Sequence, residues 1–226
     1  MSGHPIVAAL YDRVLGPVEH GGLGDIRTET LAAASGRTLE IAAGNGHNLG
    51  HYPASVDSLV LAEPDPHMYS RLLERVDRVP AGSGGRRIEL SALQASAEAL
   101  PFDSNSFDSV VCTLGLCTIP EPARALAEVR RVLVPDGRFC FIEHVRSATS
   151  GTARVQDLIT PFWRRAAGGC HPNRDSRALI ESVGFRIEVL ERGAMPKAPK
   201  PLSPMISGFA VSPDSQDCGP KIFSIS

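Results

Sequence analysis

Long apolar runs, a basic surplus and paired cysteines are all missing from this 226-residue sequence, and each absence removes a class of function. No window approaches the roughly 18 apolar residues of a membrane-spanning helix, and the first residues do not read as a secretory signal, so we expect no stable membrane insertion. The formal net charge is −2 and the basic residues are scattered, which argues against nucleic acid as a partner. The five cysteines form no CxxC pair, as is typical of reduced thiols in a cytoplasmic protein.

A short apolar strand that runs into a turn of small residues is the most informative feature that is present. Residues 40–46 read EIAAGNG, and we expect a helix to begin near Asn48. Gly44 and Gly46 allow a tight turn and a close approach of the backbone to a ligand, while the helix would aim free N–H groups at the same place. The pattern predicts a ligand-binding turn.

Two acidic residues around this turn indicate which ligand it binds. Glu63 ends a second apolar run 19 residues after Gly44, where a carboxylate can accept both hydroxyls of a ribose. Glu40 precedes the glycines, and a carboxylate there favours the sulfonium and ammonium of S-adenosylmethionine (SAM) over a pyrophosphate. A nicotinamide enzyme and a purely structural turn are the alternatives, although none of the three tyrosines begins a Tyr-x-x-x-Lys pair.

At this motif the sequence resembles the class I SAM-dependent methyltransferases of the type 11 kind, whose first motif reads acidic-x-Gly-x-Gly-x-Gly, with Ala42 in place of the first glycine. The resemblance covers about residues 37–212 and is closest to the alkyl thiol S-methyltransferase branch. It is carried by residues 111–117 (VCTLGLC), 141–145 (FIEHV) and 168–174 (GGCHPNR). Phospholipid N-methyltransferases and quinone C-methyltransferases have similar stretches.

The alternation of strand and helix patterns, together with the resemblance, implies an α/β fold with a doubly wound, mostly parallel, seven-stranded sheet. A single domain is expected, with N-terminal cap helices in residues 1–36, a SAM-binding core in 37–145, and substrate-side helices with a C-terminal β-hairpin in 146–226. The strands are predicted at 38–42, 58–62, 88–94, 108–113, 138–144, 185–191 and 206–211. The helices are predicted at 6–15, 26–35, 66–76, 122–133, 153–166 and 175–183.

The motif and the resemblance imply a set of cofactor-binding residues for S-adenosyl-L-methionine. Ser96 stands where the family carries an aspartate, so its shorter hydroxyl would bond the adenine amino group. The full set is Glu40, Ala42, Gly44, Gly46, Glu63, Pro64, Ser96, Ala97, Glu98, Thr113 and Leu114.

The expected activity is SAM-dependent methyl transfer to a small-molecule acceptor by a monomer or homodimer. A thiol is favoured, because a pKa near 8.5 leaves a few per cent of it ionised at neutral pH, whereas a phenol near pKa 10 needs a base more. The alternatives are O-, N- or C-methylation of a small metabolite, a quinone or a phospholipid headgroup. A SAM-binding protein without catalysis is a further alternative.

Two histidines are predicted to be catalytic. Glu143 and His144 end one strand and point to opposite faces, and His144 is the candidate base, the alternative being a cap bonded to a backbone carbonyl. His171 lies in a Gly-Gly loop that could close over the substrate or be a structural turn. The predicted substrate-binding residues are Tyr11, Cys117, Trp163 and Arg174; the tryptophan could instead fill the core, and the arginine could cap a helix. No metal is expected, because the cysteines and His171 lack ligand spacing.

Overall fold

The computed structural model describes residues 16–78 and 88–212, which form a seven-stranded sheet flanked by helices. The strands are β1 (Gly36–Ile41), β2 (Val56–Ala62), β3 (Glu89–Leu93), β4 (Phe107–Thr113), β5 (Leu133–His144), β6 (Arg186–Ala194) and β7 (Pro204–Val211). Their order is β3-β2-β1-β4-β5-β7-β6. The first five strands pair in parallel, and β7 runs antiparallel to both β5 and β6. The expected doubly wound sheet and C-terminal hairpin are confirmed.

The helices begin and end where local signals place them. They are α1 (Gly24–Leu31), α2 (Pro66–Val76), α3 (Pro122–Val132), α4 (Ser150–Ala166) and α5 (Ser176–Ser182). A π-helical turn (Glu19–Leu23) precedes α1. Asp65 caps α2 by accepting hydrogen bonds from the backbone N–H groups of His67 and Met68. No helix in the described part of the chain is long and apolar enough to cross a membrane.

The central strand β4 is covered on both faces, which explains its nearly unbroken apolar sequence. Val110 belongs to the same buried cluster as Leu126 of α3. The next residue, Val111, belongs to the cluster on the other face with Leu72 of α2. All four side chains are fully buried. Because β1, β2, β4 and β5 are parallel, their carboxyl ends meet at one edge of the sheet.

Two local predictions were wrong. No helix begins near Asn48; residues 44–51 form successive turns, in which the N–H of His51 donates to the carbonyl of Asn48. The Asn48 side chain is buried and bonded to groups on β1 and α1, so the segment is drawn inward. The helix predicted at 26–35 is shorter and runs from Gly24 to Leu31. The predicted helix at 6–15, including Tyr11, lies outside the described residues.

Candidate active site

The turn after β1 opens onto a pocket at the carboxyl edge of the sheet. Its backbone passes through left-handed conformations at Ala42 (φ 51°) and Gly44 (φ 58°). A Cβ added at Gly44 would have no atom within 4 Å, so this backbone faces open space that a ligand can approach. The pocket is bordered by Arg27, Glu40, Ala42, Gly44, Asn48 and Thr113, among others.

Glu40 places a buried carboxylate in this pocket. The residue is 2% exposed, yet Oε1 accepts a hydrogen bond from Asn48 Nδ2 (2.9 Å) and Oε2 from the Tyr52 hydroxyl (2.6 Å). Burial raises the pKa of Glu40 to about 7, while the two hydrogen bonds and the charge of Arg27 oppose that rise. A bound cation would therefore find a partner that ionises near neutral pH.

Arg27 brings the opposite charge to the same pocket. Its Nη1 donates to Asn48 Oδ1 (2.7 Å) and Thr113 Oγ1 (2.9 Å), and its Nη2 pairs with a Glu19 carboxylate oxygen (2.8 Å). Glu40 and Arg27 thus share the partner Asn48, and the pocket offers both signs of charge. Sequence reasoning missed Arg27 because α1 carries little apolar periodicity, so nothing in the pattern marks an inward-facing position.

Glu63 follows β2 and holds the turn after β1 in place. Its Oε2 accepts from the N–H of Gly44 and its Oε1 from the N–H of Asp65, both at 2.8 Å. Burial raises the pKa of this carboxyl, and the two backbone hydrogen bonds partly offset the effect. Each oxygen keeps a further lone pair, so the position beside the pocket is compatible with the predicted contact to a ribose.

The segment predicted to line the adenine makes mostly local bonds. The Ser96 hydroxyl donates to Glu98 Oε2 (3.1 Å) and accepts from the N–H of Glu98 (3.2 Å). The other oxygen of Glu98 accepts from the N–H of Glu121 (2.7 Å), and Ala97 is buried. The only hydroxyl proton of Ser96 is thus engaged within its own turn.

Two other predicted cofactor residues have neighbours within the protein. A Cβ at Gly46 would come within 2.9 Å of the Leu72 side chain, so this glycine faces α2. The carbonyl of Pro64 accepts a hydrogen bond from Gln94 Nε2 (3.2 Å). Gly46 therefore packs against α2, and Pro64 joins the segment after β2 to the segment after β3.

The loop after β4 lies directly against the turn after β1. A Cβ at Gly115 would be 2.6 Å from Cys112 Sγ and 2.9 Å from Ala42 Cβ, so there is no room for a side chain. Thr113 borders the pocket, and Leu114 (φ 55°) donates its N–H to the carbonyl of Ile142. The predicted cofactor residues on this loop are thereby joined to those on β1.

Glu143 fixes this loop from beneath. Its Oε1 accepts from the N–H groups of Gly115 (3.0 Å) and Leu116 (2.8 Å), and its Oε2 from the N–H of Cys117 (3.1 Å). The side chain is fully buried, and burial raises its pKa to about 7. The carboxylate is therefore engaged in holding the loop.

The neighbouring His144 joins two cysteines in what we call the thiol–imidazole cluster: Cys117, His144 and Cys170. Cys170 Sγ lies 3.7 Å from Cys117 Sγ and 3.8 Å from His144 Nδ1. Two neighbours lower the pKa of Cys170 to about 5, although burial raises it. The larger effect is a hydrogen bond with Cys117, and the smaller one comes from His144. His144 Nε2 is buried and has no hydrogen-bond partner among the described residues. No backbone carbonyl in that part of the chain accepts a bond from this ring, and Nδ1 contacts Cys170 instead.

The other predicted acceptor-side residues have different roles. The N–H of His171 donates to the carbonyl of Cys117 (2.8 Å). Burial lowers the pKa of the His171 ring, and the positive charge of Arg174 lowers it further. Arg174 Nη1 donates to the carbonyls of Leu116 and Ile119, so it joins two loops. Trp163 Nε1 is buried without a partner in the described part of the chain.

Sequence reasoning also missed Gln156, which supports the acceptor side. This α4 residue is fully buried; its Nε2 donates to the carbonyls of Val145 (3.1 Å) and Pro172 (2.9 Å), and its Oε1 accepts from the N–H of Ser147 (2.8 Å). The sequence could have revealed Gln156, because it is a polar residue on the inward face of a helix.

Comparisons with known proteins identify the family and the fold. The Methyltransferase domain family matches residues 39–141. Thiol S-methyltransferase TMT1B of Homo sapiens is 32% identical over 184 residues, covering 80% of this chain and 73% of the relative. The ubiquinone/menaquinone biosynthesis C-methyltransferase UbiE of Ectopseudomonas mendocina is 32% identical over 188 residues, covering 78% and 71%. A Bacillus halodurans structure shares the fold, with a TM-score of 0.65 at 18% identity, covering 84% of this chain and 100% of that one.

Proposed function

Because the chain belongs to the SAM-dependent methyltransferase family and acts on a small molecule, we propose that its acceptor is a thiol, which it methylates on sulfur. Family membership favours a methyltransferase over the two alternatives, a dehydrogenase and a SAM-binding protein without catalysis. The identity of the acceptor atom and the roles of individual residues are the subject of the proposal.

The pocket after β1 carries charged groups that suit SAM. Glu40 would face the ammonium group and Arg27 the carboxylate of the methionine part, while Glu63 would accept the ribose hydroxyls. Gly44 leaves space where a Cβ would project. When bound, SAM supplies a methyl group on a sulfonium leaving group, so positioning and exclusion of water can provide most of the catalysis.

The observation that carries the thiol proposal is the chemistry on the acceptor side. Glu143 is the carboxylate closest in sequence to His144, but three backbone N–H groups occupy it. The groups next to the loop after β4 are instead thiols and an imidazole, which are modest bases. A thiol needs little help to lose its proton, whereas a phenol or a protonated amine needs more.

The relatives support a small-molecule acceptor but do not choose the atom. A relative named as a thiol S-methyltransferase and one named as a ubiquinone/menaquinone biosynthesis C-methyltransferase are each 32% identical to this chain. The choice of sulfur therefore depends on the thiol–imidazole cluster. His144 is the side chain we propose to face the acceptor, because one ring nitrogen is buried and has no hydrogen-bond partner in the described part of the chain.

The test is side-by-side turnover of one purified preparation with SAM and four acceptor classes: small lipophilic thiols, phenols, amines and a quinol. We expect thiols to react fastest. Faster methylation of any other class would contradict the proposal. Glu63→Ala serves as the control, because it should slow all four classes alike by weakening the shared donor.

A further inference from the structure

The thiol–imidazole cluster has the composition of a metal site. Among the described residues, Cys117, His144 and Cys170 are the one group of three side chains whose ligating atoms all lie within 4.8 Å of one another. Two thiolates and one imidazole are ligands that zinc prefers, and three protein ligands with a fourth position open are typical of zinc sites that act on substrates. Residues 117 and 170 are far apart in the sequence, so no spacing motif marks the site.

Two of the three distances in the cluster are close to the edges of a zinc tetrahedron, and the third lies within 4.8 Å. Zn–S bonds of about 2.3 Å and Zn–N bonds of about 2.0 Å place neighbouring ligand atoms roughly 3.5 to 3.8 Å apart. The observed separations are 3.7 Å between the two sulfur atoms and 3.8 Å between Cys170 Sγ and His144 Nδ1. Two edges of the tetrahedron are therefore formed before any ion binds.

The three ligands are also held by structure that does not depend on a metal. Glu143 binds the N–H of Cys117, and the carbonyl of Cys117 binds the N–H of His171, next to Cys170. His144 ends β5 and pairs with Met205 of β7. Because strand and loop are both anchored, an ion would meet a largely preorganised site.

The two cysteines of the cluster are free thiols: their sulfur atoms lie 3.7 Å apart, whereas a disulfide bond is about 2.05 Å long. A buried nitrogen without a hydrogen-bond partner is uncommon and calls for an explanation. Among the described residues Trp163 Nε1 is such an atom, and it lies close enough to the Cys170 sulfur to interact with it.

We propose that Cys117, His144 and Cys170 bind one zinc ion whose fourth position takes the acceptor thiol as a thiolate. In this exchange a Zn–S bond forms as the thiol S–H bond breaks, the proton passes to solvent, a bound water leaves, and no oxidation state changes. The ion holds the acceptor in its nucleophilic form beside the loop after β4. We expect the Trp163 N–H, which lies beside Cys170, to donate to a zinc-bound sulfur. The second half of the proposal depends on the proposed thiol function; metal binding does not.

The experiment uses the full chain, purified under reducing conditions, and measures metal content together with cobalt spectra. We expect about one zinc per chain and, after exchange with Co²⁺, the absorption of a tetrahedral cobalt–thiolate centre. Adding an alkyl thiol without SAM should shift the cobalt bands, because a sulfur ligand enters the fourth position. These measurements on the unmodified protein do not require any variant to fold.

Matched variants locate the site. Cys117→Ser and Cys170→Ser should each weaken zinc binding by about 100-fold or more. Cys140→Ala should keep the metal, because Cys140 is an equally buried cysteine on β5 that lies outside the cluster. Retention of the same cobalt spectrum in both serine variants would overturn the assignment.

Three other results would also overturn the proposal. They are a protein that contains no metal and gives no cobalt signature, a Cys117–Cys170 disulfide in the protein as isolated, and cobalt bands that do not respond to thiol. The acceptor competition remains a separate measurement. If the metal-stripped enzyme still methylates thiols at the same rate, the role of zinc in holding the acceptor fails and the thiol function stands; if a zinc-loaded enzyme prefers a phenol or quinol, the thiol function fails.

Discussion

Glu40 and Glu143 form an instructive pair, because each lies near the carboxyl end of a parallel strand, each is buried, and each has a pKa raised to about 7 by burial. Their partners differ. Glu40 accepts from the side chains of Asn48 and Tyr52 and borders the pocket after β1. Glu143 accepts from three consecutive backbone N–H groups and fixes a loop. A raised pKa alone therefore does not identify a ligand-binding carboxylate.

The difference separates the two sides of the active site. The cofactor side presents a carboxylate and a guanidinium, which suit the charged amino-acid end of SAM. The acceptor side presents soft, polarisable groups, since its carboxylate is turned toward the backbone. A variant of Glu143 should therefore lose stability, whereas a variant of Glu40 should lose SAM affinity.

The largest expected effect is on folding. Glu143→Ala removes the acceptor of three buried N–H groups and of the Cys112 thiol, so the free energy of unfolding should fall by about 3 to 5 kcal/mol. Urea unfolding at neutral pH measures it. Glu143→Gln keeps one acceptor oxygen and should lose less. An alanine variant as stable as the parent would mean that the loop is held by other contacts.

The next effect is on the cofactor. Glu63→Ala should weaken SAM binding by about 1.5 to 3 kcal/mol, because two charge-assisted hydrogen bonds to the ribose are lost and the Gly44 N–H loses its acceptor. Titration calorimetry measures it. Glu74→Ala, on the exposed surface of α2, is the matched control and should bind SAM normally. Equal affinities in the two variants would contradict the ribose contact.

A smaller effect is expected from pH. With a pKa of about 7, Glu40 is mostly ionised at pH 7.5 and mostly neutral at pH 6, so the attraction for the ammonium of SAM is lost as pH falls. SAM affinity should drop several-fold over this range, equivalent to about 1 kcal/mol. Glu40→Gln should bind more weakly at pH 7.5 and show a flatter profile. An equally steep profile in that variant would assign the titration to another group.

The smallest effect is expected at Ser96. Because the Ser96 hydroxyl already donates to Glu98 Oε2 and accepts from the N–H of Glu98, it has one lone pair left for the adenine amino group, and Ser96→Ala should change SAM affinity by less than about 0.5 kcal/mol. Calorimetry under the conditions used for Glu63→Ala gives a direct comparison. A loss above about 1 kcal/mol would show that the hydroxyl turns toward the adenine when the cofactor binds.

Much of the fold could be predicted from the sequence because its signals are local. The helix at 66–76 begins at a proline that follows a capping aspartate, and its predicted bounds are those observed. The apolar run of β4 and the EIAAGNG turn depend only on residues close together in the chain. The helix expected near Asn48 failed because a side chain from another part of the chain, Arg27, draws that asparagine inward.

The sequence by itself determined the sheet, the turn after β1 and the positions of Glu40 and Glu63, since periodicity and turn chemistry act over a few residues. Tertiary structure alone decided which buried groups meet. It placed Arg27 in hydrogen-bond contact with Asn48, and the Glu143 carboxylate against the N–H groups of the loop after β4. It also brought the sulfur atoms of Cys117 and Cys170, 53 residues apart in the sequence, to 3.7 Å from each other. Such contacts depend on how loops from different strands converge at one edge of the sheet, and no local pattern encodes that convergence.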